Sequence, residues 1–140
     1  MHSILVADFM NYKPPMVTDT TNVRQAVELM LREKVTGVPV VDANNTLVGY
    51  LSEQDCIAEM LNDVFHCEEP GSVSKVMQQE VMTVTPGTSI VELAQIIIHN
   101  RPKNYPVIDN GKLVGLINRA DVLRALVHND DDCYIRSKAG

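Results

Sequence analysis

The stretch VPVVDANNTLVGYLSEQD, from Val38 to Asp55, returns later in the chain as YPVIDNGKLVGLINRAD, from Tyr105 to Asp121. Working outward, an offset of 67 residues superposes Met10 on Met77, Val17 on Val84, Thr21 on Thr88, Val23 on Ile90 and Pro39 on Pro106. The second turn is one residue shorter, so Leu47 falls on Leu113 at an offset of 66. A match in this order and over this length marks an internal duplication, and a duplication fixes the architecture that every local reading must obey.

Both copies carry the same periodicities. Val23, Ala26, Val27, Met30 and Leu31 fall at helical spacing, and so do Ile90, Leu93, Ala94, Ile97 and Ile98. Asn22 with Gln25, and Ser89 with Glu92, supply helix starts, the second pair spelling a capping box. Apolar, β-branched runs split by the turns 42–46 and 109–112 read as one hairpin per copy. A closing helix follows, with Cys56, Ile57, Met60 and Leu61 matched by Val122, Leu123, Leu126 and Val127; Cys56 therefore reads as a buried apolar residue. Segments around Val17 and Val84 add one strand each, and residues 3–10 and 72–78 add short leading helices. The expected fold is α/β (α+β), two tandem repeats related by pseudo-twofold symmetry, each a short sheet flanked by two helices. The copies span 1–64 and 72–128, joined by a linker at 65–71 and followed by an acidic, flexible tail at 129–140.

Bulk properties narrow the function classes. With 140 residues, the chain is long enough for one ordinary domain or for two half-size units sharing a core, and it leans toward fused halves because units of about 60 residues bury little surface alone. No apolar run approaches the roughly 20 residues of a membrane span, and MHSILVADFM lacks a basic n-region and meets Asp8 early, so a cytoplasmic protein is expected. Cys56, Cys67 and Cys133 are widely spaced and odd in number, which argues against a disulfide framework or a zinc knuckle. A net charge of -6 disfavours binding to nucleic-acid phosphates.

Taken together, the two xVPVVD-type strands, the two LVG strands and the segments GYLSEQD (Gly49 to Asp55) and GLINRAD (Gly115 to Asp121) resemble the tandem cystathionine β-synthase (CBS) domain pair, or Bateman module. The resemblance covers residues 3 to 127 and identifies the chain as a stand-alone member. It implies an adenosine-containing ligand (AMP, ADP, ATP or S-adenosylmethionine) in the clefts between the repeats. It also implies a homodimer formed through the helices. By the same pattern Asp55 and Asp121 accept from ribose hydroxyls, while Val17, Val38, Val84 and Tyr105 line the base pocket. Thr36 and Gly37, with Lys103 and Asn104, lie on the phosphate side. Ser52 and Asn118 stand at helix starts, where backbone N–H groups and the helix dipole favour an anion. Ser52-x-x-Asp55 and Asn118-x-x-Asp121 are equally helix-start signatures that need no ligand, and one terminus can serve both uses.

The copies agree in framework and differ in chemistry. Asn118 stands where the family usually has Ser or Thr; the first copy has Gly37 and Glu53 where the second has Asn104 and Arg119; Pro102 replaces Val35 and stops the helix early, re-aiming Lys103. Lys103 and Arg119 are therefore the best phosphate ligands, and the second site is the better phosphate site. No Ser-His-Asp or Cys-His spacing, GxGxxG or GxxxxGK[ST] occurs, and the His66 to Glu69 cluster reads as polar linker rather than a metal site. The expected function is a regulatory sensor, not an enzyme, needing no cofactor or metal and acting on an unidentified partner protein. The competing reading is a ligand-free dimerisation or scaffold module.

Overall fold

A computed structural model of the chain describes residues 4–67, 69–100 and 102–139, with side chains described through position 129. The elements run in the order β1 (Val17–Thr18), α1 (Val23–Glu33), β2 (Gly37–Val41), β3 (Leu47–Ser52), α2 (Glu53–His66), α3 (Ile90–His99), β4 (Asn104–Asp109), β5 (Lys112–Asn118) and α4 (Arg119–Ala139). One-turn 3-10 helices at Val6–Asp8 and Val73–Lys75 precede the copies. This is the expected mixed α/β fold with its repeated order.

Compact units cut across the duplication boundaries. The described residues of Lys13–Val81 and Asn110–Leu113 form the unit that carries the first copy's helices; those of Met1–Tyr12, Met82–Asp109 and Val114–Gly140 form the other. The leading segments are thus exchanged relative to the expected domains 1–64 and 72–128. Val73 completes the core of Val17, Val23, Ala26, Met30, Val38, Val40, Leu51 and Cys56. Val6 and Met10 complete that of Val84, Ile90, Leu93, Tyr105, Val107, Ile117, Val122 and Ala125. The pairing is backbone-driven and equivalent in both units: Val23 N donates to Gly71 O and Val73 N to Thr21 O, as Ile90 N donates to Ile4 O and Val6 N to Thr88 O.

Sheet geometry explains the LVG glycines. Tyr50 exchanges backbone hydrogen bonds with Gln78, and Leu116 with Asn11. A Cβ on Gly49 would meet Met77 Sδ at 2.6 Å and Gln78 O at 2.8 Å; one on Gly115 would meet Met10 Sδ at 2.8 Å and Asn11 O at 2.9 Å. Within the first sheet β1 pairs in parallel with β2, which pairs antiparallel with β3, Gly37 opposite Ser52 and Pro39 opposite Tyr50.

Several local expectations change. Val84 forms only a one-residue bridge to Val107 rather than a strand, because Pro86 replaces Asp19, whose N–H extends the first ladder to Val41 O. The reciprocal capping box lies at Asn22–Gln25, whereas Ser89 is held by its side-chain half alone. Phe65 and His66, expected in the linker, finish α2, which ends at a left-handed Cys67. Residues of the expected flexible tail continue α4 to Ala139, since no Gly or Pro interrupts the chain before Gly140. α3 stops one residue earlier than its repeat partner, ahead of Pro102 as expected.

Gly49→Ala and Gly115→Ala should each cost about 1–3 kcal/mol through forced backbone movement, while Gly87→Ala, with nothing within 4 Å, should be neutral. Urea midpoints at constant m-value measure this; equal midpoints for all three would contradict the close approach.

Candidate functional site

Each set of expected site residues falls within one unit, and its polar members at Thr36, Ser52 and Asp55 or at Lys103, Asn118, Arg119 and Asp121 meet where a strand hands over to a helix. In the first copy Glu53 N donates to Thr36 O at 2.9 Å, joining the chain before β2 to the first turn of α2. Ser52 is the N-cap: its Oγ accepts from Asp55 N at 3.2 Å and donates to Asp55 Oδ2 at 2.9 Å, while its own N–H donates to the same oxygen at 3.1 Å. In the second copy Arg119 N donates to Lys103 O at 3.2 Å. Asn118 Oδ1 accepts from Asp121 N at 2.8 Å, and Asn118 N donates to Asp121 Oδ2 at 2.9 Å. Capping, one of the two readings of these residues, is therefore present at both helix starts.

The carboxylates differ in their surroundings. Asp121 is buried, 7% exposed, and its Oδ1 accepts from the Arg124 guanidinium. Asp55 is half-buried, and the position matching Arg124 is Ala58. Arg124 was not among the expected residues; an Asp followed three positions later by Arg on one helix is the signal that finds it. Lys103 and Arg119 are exposed, Asn104 is half-buried, and Thr36 is exposed. The second site thus presents cations beside a helix N-terminus, and the first does not.

Val17, Val38, Val84 and Tyr105 are all buried within the cores of their own units. Tyr105 Oη is enclosed with no hydrogen-bond partner among the described residues. Burial pushes its phenol up, against the opposing pull of the Arg119 charge. Cys56 is buried as expected, and desolvation, reinforced by Asp55, pushes its thiol up from 9.0 to about 11. A second residue outside the expected set, Tyr50, packs its ring on Gly37 opposite Ser52. Among the described residues no group of three or more His, Cys, Asp or Glu could hold a metal ion.

The CBS domain model matches residues 6–62 and 73–128. The chain belongs to the CBS domain family. CBSX2 of Arabidopsis thaliana, a CBS-pair protein, superposes with a TM-score of 0.80 at 29% identity over 93% of this chain and 99% of that one. The structure of CBSX2 in complex with AMP gives 0.79 at 31% identity, covering 91% and 98%. A putative acetoin utilization protein (AcuB) from Vibrio cholerae gives 0.80 at 28%, covering 93% and 95%. In sequence the chain spans 62% of the length of chloroplastic CBSX2, at 30% identity, and 42% of MJ1225 of Methanocaldococcus jannaschii, at 26%.

Thiol reactivity tests the placement of Cys56. Alkylation of the native protein near about pH 8 should label exposed Cys67 and leave Cys56 untouched until unfolding. The stability that Cys56 contributes is complete below 9.0 and is lost as pH rises through about 11, because the folded thiol holds its proton more tightly. Equal labelling of Cys56 and Cys67 in the native protein would contradict this.

Proposed function

We propose that the chain is a non-catalytic regulatory module that binds an adenosine-containing ligand, AMP, ADP, ATP or S-adenosylmethionine, and passes the change to a partner protein in the cytoplasm. The observation that carries this reading is the second copy's helix start: Asn118 and Asp121 organise the α4 N-terminus while exposed Lys103 and Arg119 flank it. A helix N-terminus with adjoining cations suits a phosphate or carboxylate, and the buried carboxylate beside it suits sugar hydroxyls. The AMP complex of CBSX2 supports the same ligand class. No described helix is long and apolar enough to cross a membrane, and the net charge of -6 disfavours nucleic acid as the partner.

AMP at about 100 times its dissociation constant should stabilise the protein by about 2.7 kcal/mol in a thermal-shift assay. Lys103→Ala with Arg119→Ala should weaken AMP by about tenfold or more while barely weakening adenosine. No shift with any adenosyl compound favours the scaffold reading.

A homodimer belongs to the same proposal. Repeat-equivalent apolar residues are exposed in both units: Leu31 and Ile98 at 73% and 75%, Ile57 and Leu123 at 65% and 62%, Leu61 and Val127 at 55% and 59%. One self-complementary face presented twice fits a second copy of the chain better than an unrelated protein. Light scattering should give twice the 15.5 kDa chain mass, and Ile57→Asp with Leu123→Asp should return it to the monomer; a monomeric wild type would overturn the dimer.

A further inference from the structure

The copies differ at a pair of positions that couples a phosphate-side residue of the family pattern to one outside it: Gly37 with Tyr50 in the first, Asn104 with Leu116 in the second. Gly37 lies across the hairpin from Ser52, and Tyr50 across from Pro39. Because strand residues alternate between faces, Gly37, Pro39, Tyr50 and Ser52 share one face of the sheet. Val38 and Val40 point the other way, into the core. On the shared face the Tyr50 ring leans diagonally onto Gly37: a Cβ there would lie 2.5 Å from Tyr50 Oη and 2.8 Å from Cε1 and Cζ. The phenol therefore covers the strand end where β2 faces Ser52 and the Thr36 carbonyl accepts from the first residue of α2. Only a residue without a side chain at 37 permits this seat. Asn104 brings a Cβ and Leu116 brings no ring, so the second copy has no counterpart.

We infer that Tyr50 is a built-in plug of the first copy's ligand site. Its ring takes the ground that a ligand at the α2 N-terminus would occupy, so the second site fills first and the first fills only by displacing the ring. The inference rests on the adenosyl-ligand reading and turns it into a defined order of occupancy. Unseating a large aromatic side chain weakens the first site by about tenfold or more.

Calorimetric titration of the full chain with AMP tests it. Wild type should bind one tight equivalent per chain. Tyr50→Leu, which installs the residue the second copy already accommodates at Leu116, should bind two; Gly37→Ala, which evicts the ring by its Cβ, should do the same with the tyrosine retained. Two equivalents of similar affinity in wild type, or one in both variants, overturns the plug while leaving the ligand reading intact. No AMP binding by any of the three proteins overturns the ligand reading and the plug with it.

Discussion

The approach of a methionine and its neighbouring carbonyl to a glycine Cα, Met77 and Gln78 on Gly49 and Met10 and Asn11 on Gly115, governs the arrangement of both units. Each approach lets a leading segment pair with the second strand of a hairpin, Gln78 with Tyr50 and Asn11 with Leu116, and seats a 3-10 helix at the core. A half of this size buries little surface alone, and apolar residues that complete each core come from the leading segment of the other copy. The LVG pattern is thus a packing requirement first: a side chain at either glycine would drive the paired segment away from the sheet.

With the sheets closed, β3 and β5 deliver Ser52 and Asn118 to helix starts in nearly identical geometry. Chemistry enters through what surrounds that shared frame. Around Asn118 stand Lys103, Arg119 and Arg124, the last paired with Asp121; around Ser52 stand Glu53 and the Tyr50 ring. Duplication supplied two equivalent backbone cradles, and substitution at a few neighbouring positions made them unequal in charge and in room.

Much of this was legible in the amino-acid order. The duplication is written in identities and apolar spacing, and the caps at Asn22, Ser52 and Asn118 in residue types that compete for backbone hydrogen bonds. The exchange of leading segments was not legible, since periodicity reports which face is apolar and never which distant segment covers it. For the same reason the helical spacing of Ile57, Leu61, Leu123 and Val127 does not tell that they lie exposed. The shortened pairing at Val84 follows from Pro86, a missing donor visible in the sequence but weighable only once its partner Val107 is known. The seating of Tyr50 on Gly37 joins residues on two strands, and only the register brings them together. Val17, Val38, Val84 and Tyr105 show the opposite limit: the family pattern assigns them to a ligand, while packing already accounts for their burial.

The central claim is that the α4 N-terminus of the second copy receives the phosphate-bearing end of an adenosine ligand. Amide chemical shifts of isotope-labelled protein during AMP titration test it most directly. Large, saturable shifts are expected at Asn104, Asn118 and Arg119, with changes at Ser52 and Glu53 only at about tenfold or more higher AMP. Saturable shifts confined to other residues, or none at millimolar AMP, would contradict it.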